Sequence, residues 1–220
     1  MKKNFWYVIL IVSALVLCGF TFFNDAEKSE FSLDALYDYQ KEFKTEELSV
    51  CSTNTAKTYM DYRMTTVVSS AQYQFMKNHC TVDKKTGFLY DEEGFIAVAL
   101  GSYYGVIGDC YYFTLDSGIV LPVVKAEEKA DEDTDYSGCY HTMDGSVMEF
   151  VIDSDYAADY FGANGNGYVL DGNYNNYSLF NGYFVKVEKV LDEKADKIVT
   201  YQVDPSLPTN IDIFNYASGY

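Results

Sequence analysis

The chain has 220 residues, with 33 Asp and Glu against 16 Lys and Arg, a formal net charge of −17 at neutral pH. A surface this acidic repels nucleic acid and anionic headgroups, so no nucleic-acid partner is expected. The length suits one ordinary domain with flanking segments.

Met1-Lys2-Lys3 forms a short positive tip, and residues 4–23 are almost wholly apolar, running through Phe5, Trp6, Val8, Ile9, Leu10, Ile11 and Val12 to beyond Leu17. The stretch is close to the ~20 residues that span a bilayer as a helix. It is longer than the ~7–15-residue core of a signal peptide. The lysines before it favour a cytoplasmic tip at residues 1–3 and export of the chain from residue 24 onward. No Ala-x-Ala-like cleavage site is evident, so a retained transmembrane anchor is the first reading and a cleaved signal peptide the second. Leu15-Val16-Leu17-Cys18 approaches a lipoprotein box, with bulky Leu17 where a small residue is wanted. The expected location is the cell membrane, single-pass with an extracellular C-terminal domain, or alternatively secreted. The membrane itself is a partner through the N-terminal helix.

Residues 24–50 read as an acidic juxtamembrane stalk. Leu33, Leu36, Tyr37, Gln40, Lys44 and Leu48 fall near helical spacing, with Ser32 available as an N-cap. The folded domain is predicted over 51–190. It begins with a strand near 58–64 and a short helix within 72–79. Strands come next at 95–100, 110–115 and 119–124, separated by glycine-containing turns. An acidic loop at 127–135 leads to a strand at 147–153 and a brief helix near 155–161. Residues 162–182, rich in Gly, Asn and Tyr, read as a long loop before a closing strand at 183–190. The tail, 191–220, holds a further strand at 198–203. This pattern predicts a mainly β domain with short helices, a small barrel or a sandwich.

Cys51, Cys80, Cys110 and Cys139 lie in the exported part. An even set in an oxidising compartment predicts two disulfides, with three pairings open. No Cys-x-x-Cys or cysteine–histidine cluster is present, so no zinc site is expected. Asp131-x-Asp133-x-Asp135 begins like a calcium loop, but Tyr136 stands in place of the turn glycine and Thr142 in place of the bidentate Glu. The segment reads as a solvated acidic loop, and neither a metal nor a cofactor is expected.

Within 95–162 the chain resembles the three-aspartate domains of secreted bacterial cell-wall proteins. The resemblance is carried by the extended Ile96-Ala97-Val98-Ala99-Leu100-Gly101 segment, by Ala130-Asp131, and by Met148-Glu149-Phe150-Val151 with Asp153 just beyond. Glu149 stands where the resemblance has an Asp, and the Gly-Gly pair is missing. Such domains are similar to the double-psi β-barrel of membrane-bound lytic transglycosylase A. The resemblance therefore implies a double-psi-like β-barrel and peptidoglycan glycan as partner. It further implies that Glu149 is the general acid, with Asp131 and Asp153 orienting it or the substrate. The chemistry is coherent, because glycosidic cleavage needs a carboxylic acid to protonate the leaving oxygen. Two functions are expected from it: cleavage or remodelling of peptidoglycan strands, or a non-catalytic surface module that binds wall glycan or a protein. Aromatic surface, with 22 tyrosines in the chain, supports the second.

Overall fold

A computed structural model of the chain describes residues 32–191. The apolar segment at 4–23 and the strand expected at 198–203 lie outside the described residues. Among the described residues, no helix is long and apolar enough to cross a membrane.

The apolar runs become the centre of one mixed sheet. In β5 (Ile96–Leu100), β6 (Cys110–Leu115) and β7 (Val120–Glu128) almost every residue is buried, the pattern of strands covered on both faces. β5 and β7 run parallel, while β6 is antiparallel to both β7 and β9 (Phe184–Val190). The outer edge of β9 carries β1 (Thr45–Leu48). On its other side, β5 meets two short strands, β4 (Leu89–Tyr90) and β8 (Glu149–Ile152). β4 continues to β3 (Thr81–Val82), and β8 carries β2 (Thr58–Asp61) in parallel.

Among the described residues the sheet has nine strands and is not closed into a barrel, which corrects the fold implied by the resemblance. A small barrel fills its interior with alternate residues and turns the others outward. Here β5 to β7 are covered from both sides, so the fold is a layered, mixed α/β arrangement with open edges. A second correction concerns residues 33–48. Their spacing predicts a helix, yet they form a 3-10 turn at Leu33–Asp38, with Leu33 and Leu36 buried, and then the edge strand β1. Pairing with β9 outweighs the poor strand propensity of Thr-Glu-Glu-Leu.

One face of the sheet is covered by α1 (Ala71–His79). Its Phe75 and Met76 pack in one cluster with Phe95, Ala97, Tyr112, Val124 and Val151. Ser70 starts this helix by accepting a hydrogen bond from the Tyr73 backbone N–H. The opposite face is aromatic. The 162–182 segment folds into three 3-10 turns and inserts Tyr174 and Phe180 against Phe150, each with a ring-centroid distance of 5.0 Å. Phe88 joins at 5.1 Å from Phe150. Each fully buried ring of this kind stabilises the fold by about 2–3 kcal/mol. The segment that reads as a loop in the sequence is therefore a cover layer of the core.

Two buried lysines fix the segments around this layer. Lys125 Nζ donates to the carbonyls of Gly101 (2.9 Å) and Gly105 (2.8 Å) and pairs with Glu128 (2.6 Å). Lys57 Nζ donates to Thr55 O (3.0 Å) and Gly182 O (2.6 Å) and lies 4.9 Å from the centre of the Phe184 ring. Burial brings the Lys57 ammonium down to about 8.

A disulfide, Cys51–Cys139, joins the segment after β1 to the loop after β7. Cys80 and Cys110, the other two expected half-cystines, are not bridged to one another. The Tyr104 hydroxyl touches both bridged sulfurs, at 3.3 and 3.4 Å.

Candidate functional site

Glu149 opens β8 and sits opposite Ala99 of β5. It forms an ion pair with Lys129 (3.3 Å), a lysine buried to 6% exposure. Lys129 Nζ also donates to Ser146 O (3.1 Å) and Oγ (3.2 Å). Burial lowers the Lys129 pKa, and the charge of Glu149 works against that shift.

Strand alternation gives Glu149 and Val151 the same side, and the strand ends at Ile152, before Asp153. Asp153, however, is the N-cap of α2 (Ser154–Phe161): its Oδ1 accepts from the backbone N–H groups of Asp155 (3.1 Å) and Tyr156 (3.4 Å). The turn that delivers it depends on Gly87, whose φ is +78°. A Cβ there would lie 2.5 Å from both Asp153 O and Ala157 N. Asp131 is exposed at the start of a 3-10 turn, Asp131–Asp133. Among the described residues no ion pair or hydrogen bond engages its carboxylate, and none links it to the surroundings of Glu149. Of the three carboxylates singled out by resemblance, Glu149 pairs with Lys129, Asp153 caps a helix and lies 3.7 Å from the Arg63 guanidinium, and Asp131 faces solvent.

The acidic loop is likewise occupied by its own backbone. The Asp135 carboxylate accepts from the N–H groups of Ser137 (3.1 Å), Cys139 (2.7 Å) and Tyr140 (3.0 Å) and from the Ser137 hydroxyl (2.5 Å). These bonds outweigh desolvation and bring its pKa down to about 2. Among the described residues no group of His, Cys, Asp and Glu could hold a metal ion.

The carboxyl with the properties of a proton donor is a different one. Burial pushes Glu127 up to about 7; the charges of Glu128 and Glu149 add to the rise, and hydrogen bonds oppose it. Those bonds come from Gln72 Nε2 to Oε1 (3.3 Å) and Thr65 Oγ1 to Oε2 (3.1 Å). Its position results from an irregularity in β7. Val98 pairs with Lys125 and Ala99 with Glu127, leaving Ala126 as an extra residue. A bulge of this kind re-aims the following side chain, and Glu127 turns to the α1 face. Glu127 and Glu149 therefore flank Ala99 from its two sides, about 9–10 Å apart at Cα, two strand spacings. Sequence reading places Glu127 in a loop, and the spacing of the residues around it carries no trace of the bulge.

Next to Thr65 a cavity of about 560 Å³ opens between α1 and the 62–68 segment. Tyr62, Tyr73, Met76 and Leu89 supply much of its wall, and Arg63 and Lys77 are its two cations. Arg63 is engaged by Asp61 (2.6 Å) and Asp155 (2.7 Å).

A third surface is aromatic. Tyr37 and Tyr168 are each 56% exposed and Tyr160 is 40% exposed. Tyr177 has its pKa raised, chiefly by desolvation, with Tyr160, Tyr37 and Asp34 near enough to act on it electrostatically. No known protein family, curated protein or solved structure matches the chain.

Proposed function

We propose that the chain is an exported surface module, tethered to the membrane through residues 4–23, that binds wall glycan. The observation that carries this reading is the tyrosine group Tyr37, Tyr160 and Tyr177. Partly exposed rings with hydroxyls at their edges suit stacking on sugar faces and hydrogen bonding to sugar hydroxyls. The Cys51–Cys139 bridge supports an oxidising compartment, where such bonds persist. The ion pair of Glu149 and the capping role of Asp153 favour binding over cleavage by the resemblance-derived set. Sedimentation with purified peptidoglycan tests the reading: the protein is expected in the pellet, and Tyr37→Ala with Tyr160→Ala should return it to the supernatant.

One observation favours a second reading, glycan cleavage. Glycosidic cleavage uses two carboxyl groups whose environments separate their protonation states. Glu127, raised to about 7, and Glu149, ion-paired with Lys129, flank Ala99 from its two sides. Here Glu127 is the acid and Glu149 the second carboxylate. Mass analysis of fragments released from peptidoglycan by the wild type and by Glu127→Gln distinguishes cleavage from binding alone.

A further inference from the structure

We propose that the cavity between α1 and the 62–68 segment binds a single-chain amphipathic carboxylate, with its apolar body against Met76, Val82 and Leu89 and its anionic head at Lys77 Nζ. The volume of about 560 Å³ falls within the ~300–1,000 Å³ typical of small-molecule sites. The lining is apolar at the floor, where Met76 and Leu89 are buried, and aromatic at the sides through Tyr62 and Tyr73. Water held against such a surface is readily displaced by hydrocarbon.

The nature of the head group is set by the cations. Arg63 is already neutralised by Asp61 and Asp155. Lys77, exposed in the last turn of α1, takes part in no ion pair among the described residues. In a chain of net charge −17, an unpaired ammonium at the edge of an apolar cavity is the feature that discriminates a carboxylate from a neutral amphiphile. Cys80 also lines the cavity, and burial pushes its thiol well above the ordinary range. A neutral thiol is a poor nucleophile, so the association is non-covalent.

Cys80 provides the readout. The full chain, in phosphatidylcholine nanodiscs, is treated with N-ethylmaleimide at mildly alkaline pH, with and without dodecanoate, and labelling at each cysteine is followed by peptide mass analysis. Dodecanoate at about ten times its Kd should slow Cys80 labelling by about tenfold, since only the unliganded fraction reacts. Dodecanol should protect much less. Lys77→Glu should remove the protection by dodecanoate, while Lys77→Arg keeps it. Protection in phosphatidylglycerol discs without added dodecanoate would overturn the assignment, because that lipid offers a two-chain phosphodiester and not a single-chain carboxylate. Unchanged labelling with dodecanoate would overturn the proposal. So would equal protection by dodecanol or full protection in Lys77→Glu; if the raised thiol labels too slowly to follow, the same comparisons are read from dodecanoate binding by equilibrium dialysis, where no saturable binding would overturn the proposal. The intact Cys51–Cys139 bridge, read in the same spectra, reports that each variant has folded.

Discussion

The side-chain amide of Gln72 donates to Glu127 at 3.3 Å, tying the first turn of α1 to the bulged end of β7. Through this contact a helix start, a strand irregularity and a half-buried acid become one unit, adjoining the cavity through Thr65.

Glu127 makes stability depend on pH in an unusual direction for a carboxyl. Its pKa rises from 4.5 to about 7 on folding, so between those values the folded chain holds more protons than the unfolded one. Stability should therefore be greatest for this group below pH 4.5 and fall as pH rises through 7. The loss is on the order of 2 kcal/mol, allowing for partial exposure. Denaturant melts across this window should show the decline in the wild type and a flatter profile in Glu127→Gln.

Asp135 acts in the opposite sense. Its folded pKa of about 2 lies below the ordinary 3.8, so its contribution is complete above 3.8 and disappears as pH falls through 2. Asp135→Ala should cost about 1–3 kcal/mol, the range for losing charge-assisted hydrogen bonds to otherwise unpaired N–H groups. Because one of these N–H groups belongs to Cys139, slower formation of the Cys51–Cys139 bridge on refolding is a second expected readout.

The cysteines should yield one bridge rather than two. Non-reducing peptide mapping is expected to recover Cys51 linked to Cys139, with Cys80 alkylated as a thiol after unfolding and no peptide joining Cys80 to Cys110. Replacing both bridged cysteines by Ser should destabilise the chain by about 4.6 kcal/mol, the chain-entropy value for a sequence separation of 88. A recovered Cys80–Cys110 peptide would contradict the arrangement.

Lys129 and Glu149 should behave as a coupled pair. Glu149→Gln leaves a buried ammonium without its carboxylate and should cost about 2 kcal/mol, as should Lys129→Met through the opposite imbalance. The double variant should recover most of the loss. Additive losses in a double-mutant cycle would show that the two side chains do not interact.

The parts of the fold that are legible in the sequence are those set by continuous apolar runs. Ile96-Ala97-Val98-Ala99-Leu100 and the 110–115 and 119–124 segments become strands because burial on both faces leaves nothing else for them to do. The open sheet is not legible, since closure depends on which edge strands meet, and β1 has almost no strand propensity of its own. Nor is the role of 162–182: Tyr174 and Phe180 reach the core from 3-10 turns, without a period that marks them as buried. At the site, the 147–153 run is legible as a strand, which forms over Glu149–Ile152 and ends before Asp153. The motif does not show that Lys129 and the start of α2 take up Glu149 and Asp153. Glu127 escapes notice because a one-residue bulge, invisible in composition, aims it.

Incubation of the full chain with purified peptidoglycan, with pelleted protein and released fragments measured together, tests the binding function most directly. The protein is expected to pellet with the glycan, Tyr37→Ala with Tyr160→Ala to lose this retention, and no glycan fragments to be released. A protein that stays in the supernatant would contradict glycan binding. Release of fragments by the wild type but not by Glu127→Gln would replace binding with cleavage at the Glu127–Glu149 pair.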